Sequence, residues 1–392
     1  MIAKKQIVWY NKIEEEEKMK EIFAVIGSLF GDEGKGLVTD YLCEKPIPTL
    51  NVRYNGTGQA SHTVVRDGKR KIFHSIGAGS FLDHVDTFLG EYYVVNPYVL
   101  YTEVQYLIER YHVTPIIYIH NNCRIATHYD IEANRQRETA RGKDRHGSCG
   151  LGFFETIHRY NRGIGCFPIK TYQIQGSLHE IRAYYESCGF SMDEIQDTDE
   201  EYLQLMTWLK QYCHIVDNSI LNQYERIVFE GAQGLSLGMR KDKYFPHLTP
   251  SEPGMPYIQE MLMEIKEPYN FSVFYPMRSY GTRHGNGPFP TECNRKDLGK
   301  QVRELTNITN DYQGSFRFGW FPAEEIQGNI REDLQECLRK PDHVSIVITH
   351  LDQTDGKLLC QNGKQDPTTF LPEYDHLYSF GETAKDIRKE MR

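Results

Sequence analysis

The stretch Gly27–Gly36 sets glycines around Asp32, Glu33 and Lys35. Glycines let backbone N–H groups close on an anion, a following helix N-terminus favours negative charge, and Lys35 adds a cation. The composition is that of a phosphate cradle. It is not a Walker A loop, because the spacing differs and no Ser or Thr follows Lys35. An acidic pair in such a cradle calls for a metal or a proton-transfer role; otherwise the stretch is a tight strand-to-helix turn with solvated acids. A second small, polar loop runs from Arg53 to Thr63 and ends at His62, a candidate general acid. A third is Glu230-Gly231-Ala232-Gln233-Gly234, where small residues let the Gln233 amide approach a planar ligand, donating and accepting at once. Alone, this third loop reads equally well as a plain turn.

Loops of this kind need strands behind them. An apolar run, Ile22–Ile26, precedes the first loop, and Leu37, Val38, Tyr41 and Leu42 follow it at helical spacing. Similar runs recur at 116–119, 227–229, 271–274 and 344–348, each ending in polar or Gly-rich sequence. Amphipathic stretches lie between them, such as Val104, Leu107, Ile108 and Tyr111, and Tyr202, Met206, Leu209 and Cys213. Alternation of this kind predicts an α/β fold with a largely parallel central sheet flanked by helices, and ligands bound beyond the strand carboxyl ends. No internal repeat or linker interrupts the chain, so residues 21–392 read as a single large domain. Residues 1–20 are polar, with a charge cluster from Glu14 to Lys20, and read as an N-terminal arm.

Composition narrows the function classes. Lys and Arg number 45 against 54 Asp and Glu among 392 residues, a formal charge of −9. A protein that neutralises nucleic-acid phosphates is usually basic, so no nucleic-acid partner is expected. No uncharged apolar run approaches the length of a membrane span, and the N-terminus lacks an apolar signal core. Nine Cys without CxxC pairs point to a reducing cytoplasm rather than a disulfide framework or zinc ribbon.

Taken in order, the loops resemble one family, the adenylosuccinate synthetases. The family's GDEGKG stands here as Gly31–Gly36, its glycine loop ending in HT as Gly56–Thr63, its EGAQG as Glu230–Gly234, and its GPFPTE as Gly287–Glu292, preceded by Tyr280-Gly281-Thr282-Arg283. The resemblance implies a GTP-dependent ligase of purine biosynthesis. Such an enzyme phosphorylates the 6-oxygen of IMP, then displaces phosphate with the amine of aspartate. It also implies Mg2+ and a homodimer. By this likeness Asp32 is the base that takes the N1 proton and a metal ligand, with the Ser61 carbonyl as a second. His62 supports the transferring phosphoryl group, Gln233 orients the 6-oxygen, and Lys35 with Gly31, Glu33, Gly34, Gly36 and Thr63 contacts GTP. Gln59, Ser148, Cys149 and Thr249 fall on contacts to the monophosphate nucleotide. Arg159 or Arg162 would reach into the partner's site. Asp352, with His350 in place of the family's Lys, would read guanine, joined by Ser379 and Gly381.

The pattern departs from the family in the aspartate-binding loop. A Thr-rich turn and an Arg cluster are expected there, but the chain reads Asp311-Tyr312-Gln313-Gly314-Ser315-Phe316-Arg317. Arg283, Gly314, Ser315 and Arg317 are the expected aspartate contacts, with Arg283 as a second clamp. A changed amine donor, or none, is the alternative. Gln59 for the usual Asn and Phe30 for the usual Trp leave dGMP open as the substrate, although the intact Asp32 favours a hypoxanthine. A third reading is a nucleotide-binding paralogue without amine chemistry.

Overall fold

A computed structural model of the chain describes residues 19–166, 169, 174–193, 195–304, 307 and 314–391. Most of the expected arm (1–18) and Asp311–Gln313 lie outside the described residues. The apolar runs picked from the sequence all enter one sheet. Its strands are β1 (Lys20–Gly27), β2 (Thr49–Arg53), β3 (Val85–Leu89), β4 (Ile117–His120), β5 (His214–Val216), β6 (Arg226–Gly234), β7 (Tyr269–Arg278), β8 (His343–Thr349), β9 (Asp375–Ser379) and β10 (Ile387–Arg388). They lie in the order β5-β4-β3-β2-β6-β1-β7-β8-β9-β10. Every pairing is parallel except the last, β9 with β10. The expected α/β class with a largely parallel central sheet is therefore observed, in one domain.

Both faces of the sheet are covered. Ile22, Ala24 and Ile26 of β1 join one apolar core with Phe229 and Tyr275. Val25 points the other way and packs with Leu37 and Val38 of the helix α1 (Lys35–Leu42). Strands buried on two sides read as unbroken apolar runs, which is why β1, β6, β7 and β8 were legible. β2 and β3 were not, because they carry polar residues inward. Asn51 is fully buried yet satisfied: its Nδ2 donates to Val228 O (3.2 Å) and its Oδ1 accepts from Gly79 N–H (3.0 Å). Lys20, expected in the arm, opens β1 and donates to Asn222 O and Tyr224 O. The two amphipathic stretches form helices over Pro97–Tyr106, continued by a π-helical turn Leu107–Tyr111, and over Asp199–Tyr212. Among the described residues no helix is long and apolar enough to cross a membrane.

A hairpin, His62–Arg66 with Lys69–Phe73, leans on α1. Arg66 donates Nε and Nη2 to the two oxygens of buried Asp40 on that helix (2.9 and 3.1 Å). At the other end of α1, Gly36 touches the hairpin so closely that an added Cβ would meet His62 Cβ at 2.9 Å and His62 C at 3.0 Å. Two contacts thus fix His62 relative to the glycine loop. Gly36→Ala should push the hairpin from α1 and cost about 1–3 kcal/mol by overpacking. Chemical denaturation of the two proteins side by side checks this, and an unchanged midpoint would show that the hairpin yields freely.

Candidate active site

The carboxyl ends of β1, β2, β6, β8 and β9 empty into one cavity of about 1340 Å³. Its walls carry Gly31, Asp32, Glu33, Gly34, Lys35, Gly36, Gln59, Ser61, His62, Thr63, Ser148, Cys149, Gln233, Thr249, Arg283, His350, Asp352 and Gly381. Loops distant in sequence meet there because they leave adjacent parallel strands on the same side. Ser379, Arg159, Arg162, Gly314, Ser315 and Arg317 are not among the wall residues.

The loop after β1 is shaped by backbone geometry. Gly31, Asp32 and Gly34 all have positive φ (95, 59 and 91°). Asp32 is thus a non-glycine residue in the left-handed region, a conformation held by its surroundings. The Arg278 guanidinium does part of that holding, donating Nε to Asp32 O. Across the cleft, the β1–β6 pairing slips between Val25–Glu230 and Gly27–Gly234, and Gln233 within the slip has φ 59°. Such a bulge re-aims a side chain. Gln233 Oε1 is buried, with no hydrogen-bond partner among the described residues. Glu33 turns inward instead: its Oε1 accepts from Leu29 N–H, and Oε2 lies 3.6 Å from Lys35 Nζ. It braces the loop, and burial pushes its carboxyl up. No side chain caps α1, so its first-turn amides are available to an anion beside Lys35.

A second group of charges lies under His62. Its Nδ1 is hydrogen-bonded to Glu230 Oε1, whose other oxygen accepts from Ala78 N–H (2.9 Å). Arg53 Nη1 is 3.5 Å from Glu230 Oε1, and both side chains are fully buried. Burial raises the Glu230 pKa, but Arg53 and His62 outweigh it and bring the group down to about 2. Burial drives His62 to about 4, with Glu230 opposing and Arg53 and Lys35 assisting, so the imidazole is neutral near pH 7. With Nδ1 turned to a carboxylate, Nε2 is the nitrogen left for a ligand.

The other predicted contacts divide into two ends of the cavity. At one, Ser148 Oγ donates to Asn134 Oδ1 (2.8 Å), and Thr249 Oγ1 is buried and unpaired among the described residues. Burial and then Asp32 raise the Cys149 thiol to about 12, so it stays protonated. At the other, Asp352 is exposed beside the opening, while burial and Arg278 keep His350 neutral. Ser379 does not face the cavity; its hydroxyl donates to Gly381 O (2.8 Å) and shapes that turn.

Residues 24–356 match the family described as adenylosuccinate synthetase. The adenylosuccinate synthetase of Bacillus subtilis is 31% identical over 318 residues, covering 77% of this chain and 72% of that one. That of Streptococcus gordonii is 32% identical over 389 residues, covering 93% and 88%. The chain belongs to the adenylosuccinate synthetase family. Its members are ligases, and the resemblance read from the loops is thereby established. The fold agrees with two solved structures, each 18% identical. One is the fully ligated adenylosuccinate synthetase from Plasmodium falciparum (TM-score 0.71, covering 95% of this chain and 100% of that one). The other is the cyanophage S-2L succinoaminodeoxyadenylate synthetase bound to dGMP and dATP as an energy donor (TM-score 0.63, 95% of each chain).

For a member of this family, several arginines sit unexpectedly. Arg159 is fully buried and spent within its own protomer: Nε and Nη2 pair with Asp130 (2.8 Å each), and the rest reaches the carbonyls of Ile125, Ile164 and Gly165. It cannot extend to a partner, whereas Arg162 is exposed. Arg317 pairs through Nε and Nη2 with Glu292 and donates Nη1 to Gly285 O and Gly287 O. Its cross-strand neighbour Arg283 lies over Phe30 (4.4 Å) and donates to Pro288 O (2.6 Å) and His247 O. Its Nε is buried without a partner among the described residues. Arg53, Glu230 and Arg278 carry out positioning that the sequence reading did not assign. Their one visible signal is that each charged residue ends, or lies near the end of, a sheet strand.

The depressed His62 pKa has a consequence for stability. From pH 6.5 down to about 4 the unfolded chain protonates this residue and the folded chain does not. Stability is therefore lost as pH falls through that window, by up to about 1.4 kcal/mol per pH unit. His62→Gln should flatten the slope by about one proton, measured by denaturant unfolding at pH 5 and pH 7. An unaltered slope would mean that His62 titrates normally.

Proposed function

We propose that the protein phosphorylates the 6-oxygen of a purine nucleoside monophosphate such as IMP, using GTP and Mg2+, and then displaces phosphate with the amine of aspartate to form adenylosuccinate. The observation that carries this reading is the convergence of Asp32, His62, Lys35 and Gln233 on one cavity of about 1340 Å³. A pocket for one small ligand occupies about 300–1,000 Å³, so there is room here for two nucleotides. A purine 6-oxo group is a poor leaving group, and phosphorylation corrects that. Asp32 takes the N1 proton, which makes the 6-oxygen nucleophilic, and the Gln233 amide holds that oxygen in line. Lys35 and the α1 amides bind the triphosphate, and His62 Nε2 supports the phosphoryl group in transfer. Attack of the amine at C6 expels phosphate.

The Asp32 carboxylate and the Ser61 carbonyl would hold Mg2+, since both are hard oxygen donors and this ion takes few protein ligands. Among the described residues no cluster of three His, Cys, Asp or Glu side chains offers another metal site. Bound there, the ion supplies neutralising charge to phosphate oxygens. Asp352 can accept from the guanine N1 and N2 hydrogens, which adenine lacks. In a homodimer, the crossing role falls to the exposed Arg162 in this reading, since Arg159 is spent on Asp130. None of the nine cysteines forms a disulfide, in keeping with a cytoplasmic location.

One observation favours a second reading of the amine. With Arg317 engaged by Glu292, the Arg283 Nε is an unpaired buried donor among the described residues, and an amine donor with one carboxylate would fit it. The cyanophage neighbour, bound to dGMP, makes that nucleotide the alternative to IMP.

Purified protein with GTP, Mg2+ and IMP should release phosphate and form a new ultraviolet-absorbing product only when aspartate is added. Product from glycine or ammonium but not aspartate would establish the second reading, and turnover with dGMP alone would reassign the purine. Asp32→Asn should reduce turnover by about 100-fold or more; near-normal turnover would refute the base assignment. Asp352→Asn should shift preference from GTP toward other purine triphosphates, read as a ratio of kcat/KM.

A further inference from the structure

Arg53 has an environment that demands an account. Its side chain is fully buried, yet none of its three nitrogens makes a hydrogen bond among the described residues. A guanidinium presents five N–H donors, and leaving them unpaired is costly. What faces it is Glu230, 3.5 Å away, and the ring of Tyr93, with its centroid at 5.9 Å. The first of these contacts is set by sheet register: Arg53 and Glu230 are direct partners across the parallel β2–β6 pairing, the last residues in that ladder. Beyond this pair β2 enters a loop that lines the cavity, while β6 runs on to Gly234 and carries Gln233 into the cavity wall.

We propose that Arg53 is a positioning residue for the reaction: its charge keeps Glu230 an ionised, acceptor-only group, and Glu230 in turn fixes His62 with Nδ1–H inward and Nε2 toward the substrate. The carboxylate is held on three sides. Ala78 N–H binds one oxygen, and His62 and Arg53 share the other. An Arg that donated a bidentate hydrogen bond would occupy both oxygens and compete with His62 for the lone pairs. Standing off at 3.5 Å, it supplies charge and leaves the hydrogen bond to the imidazole. A neutral Glu230 would present its own O–H, and the imidazole would then rotate or change tautomer. The proposal rests on the phosphoryl-transfer reading for its effect on rate, though not for the tautomer.

The test uses Arg53→Met, Arg53→Lys and Glu230→Gln in the full chain. Arg53→Met should lower kcat about 10- to 100-fold with KM for the triphosphate little changed, and Arg53→Lys should restore most of the rate. In the Glu230→Gln background, Arg53→Met should cost less than about twofold more, because the charge then has nothing to hold. A wild-type rate for Arg53→Met, or full additivity with Glu230→Gln, would overturn the proposal. Should Arg53→Met alone fail to fold, the double variant, which removes both buried charges, carries the comparison. Nitrogen-15 shifts of the His62 ring, assigned with His62→Gln, give a readout independent of turnover. The wild type and Arg53→Lys should show protonated Nδ1 and bare Nε2, and Arg53→Met a mixture; an identical tautomer in all would sink the idea. If the wild type itself shows no turnover but the expected tautomer, the reaction assignment fails and the positioning role of Arg53 stands.

Discussion

Charges at the bottom of the cleft govern what happens at its surface. Glu230 sits in the middle of the central strand β6 with no exposure to solvent, and it remains ionised because Arg53, His62 and the Ala78 amide surround it. Such a cluster is stable only when complete, since removal of one member leaves another charge buried and uncompensated. It therefore constrains three pieces of chain at once: the end of β2, the middle of β6 and the first residue of the hairpin. His62 is fixed from beneath by electrostatics and from the side by the close Gly36 contact. The glycine loop opposite is fixed by different means, through left-handed backbone and the Arg278 brace.

Most of this was legible in the sequence at the level of which loops matter. Asp32, Lys35 and Gln233 stand in glycine-rich sequence that follows apolar runs, His62 closes a glycine-rich loop without one, and a parallel sheet delivers such loops to one edge. Strands with polar interiors were not legible. Nothing in Thr49–Arg53 marks it as central, because the carbonyl that its Asn binds and the carboxylate that faces its Arg lie far along the chain. The supporting arginines were also hidden. Arg159 and Arg162 look alike in sequence, and the fold separates them completely: one is locked onto Asp130, the other faces solvent. Sequence spacing carries no information on which cation has an internal carboxylate waiting for it.

The arginine loop illustrates the same limit in another way. A single Arg in the stretch Gly314–Phe318 invites the view that it alone does the work of the loop. In the fold Arg317 is a cross-strand neighbour of Arg283 and is neutralised by Glu292, so two like charges can sit side by side in a small antiparallel sheet. Its guanidinium thus ties Glu292 to the carbonyls of Gly285 and Gly287.

The left-handed backbone at Asp32 also bears on how this protein can change. At φ 59° a β-branched or bulky side chain is strained, and Asn, Asp and Gly are the types that enter with little penalty. Mutational drift at this position is therefore channelled by conformation before it is filtered by chemistry. The tolerated neighbours of an acid there are an amide and a bare backbone, neither able to act as a base and one without any bulk. A descendant that abandoned Asp32 would keep its loop intact, and the space and hydrogen-bonding character presented to the cavity would be the first properties to evolve.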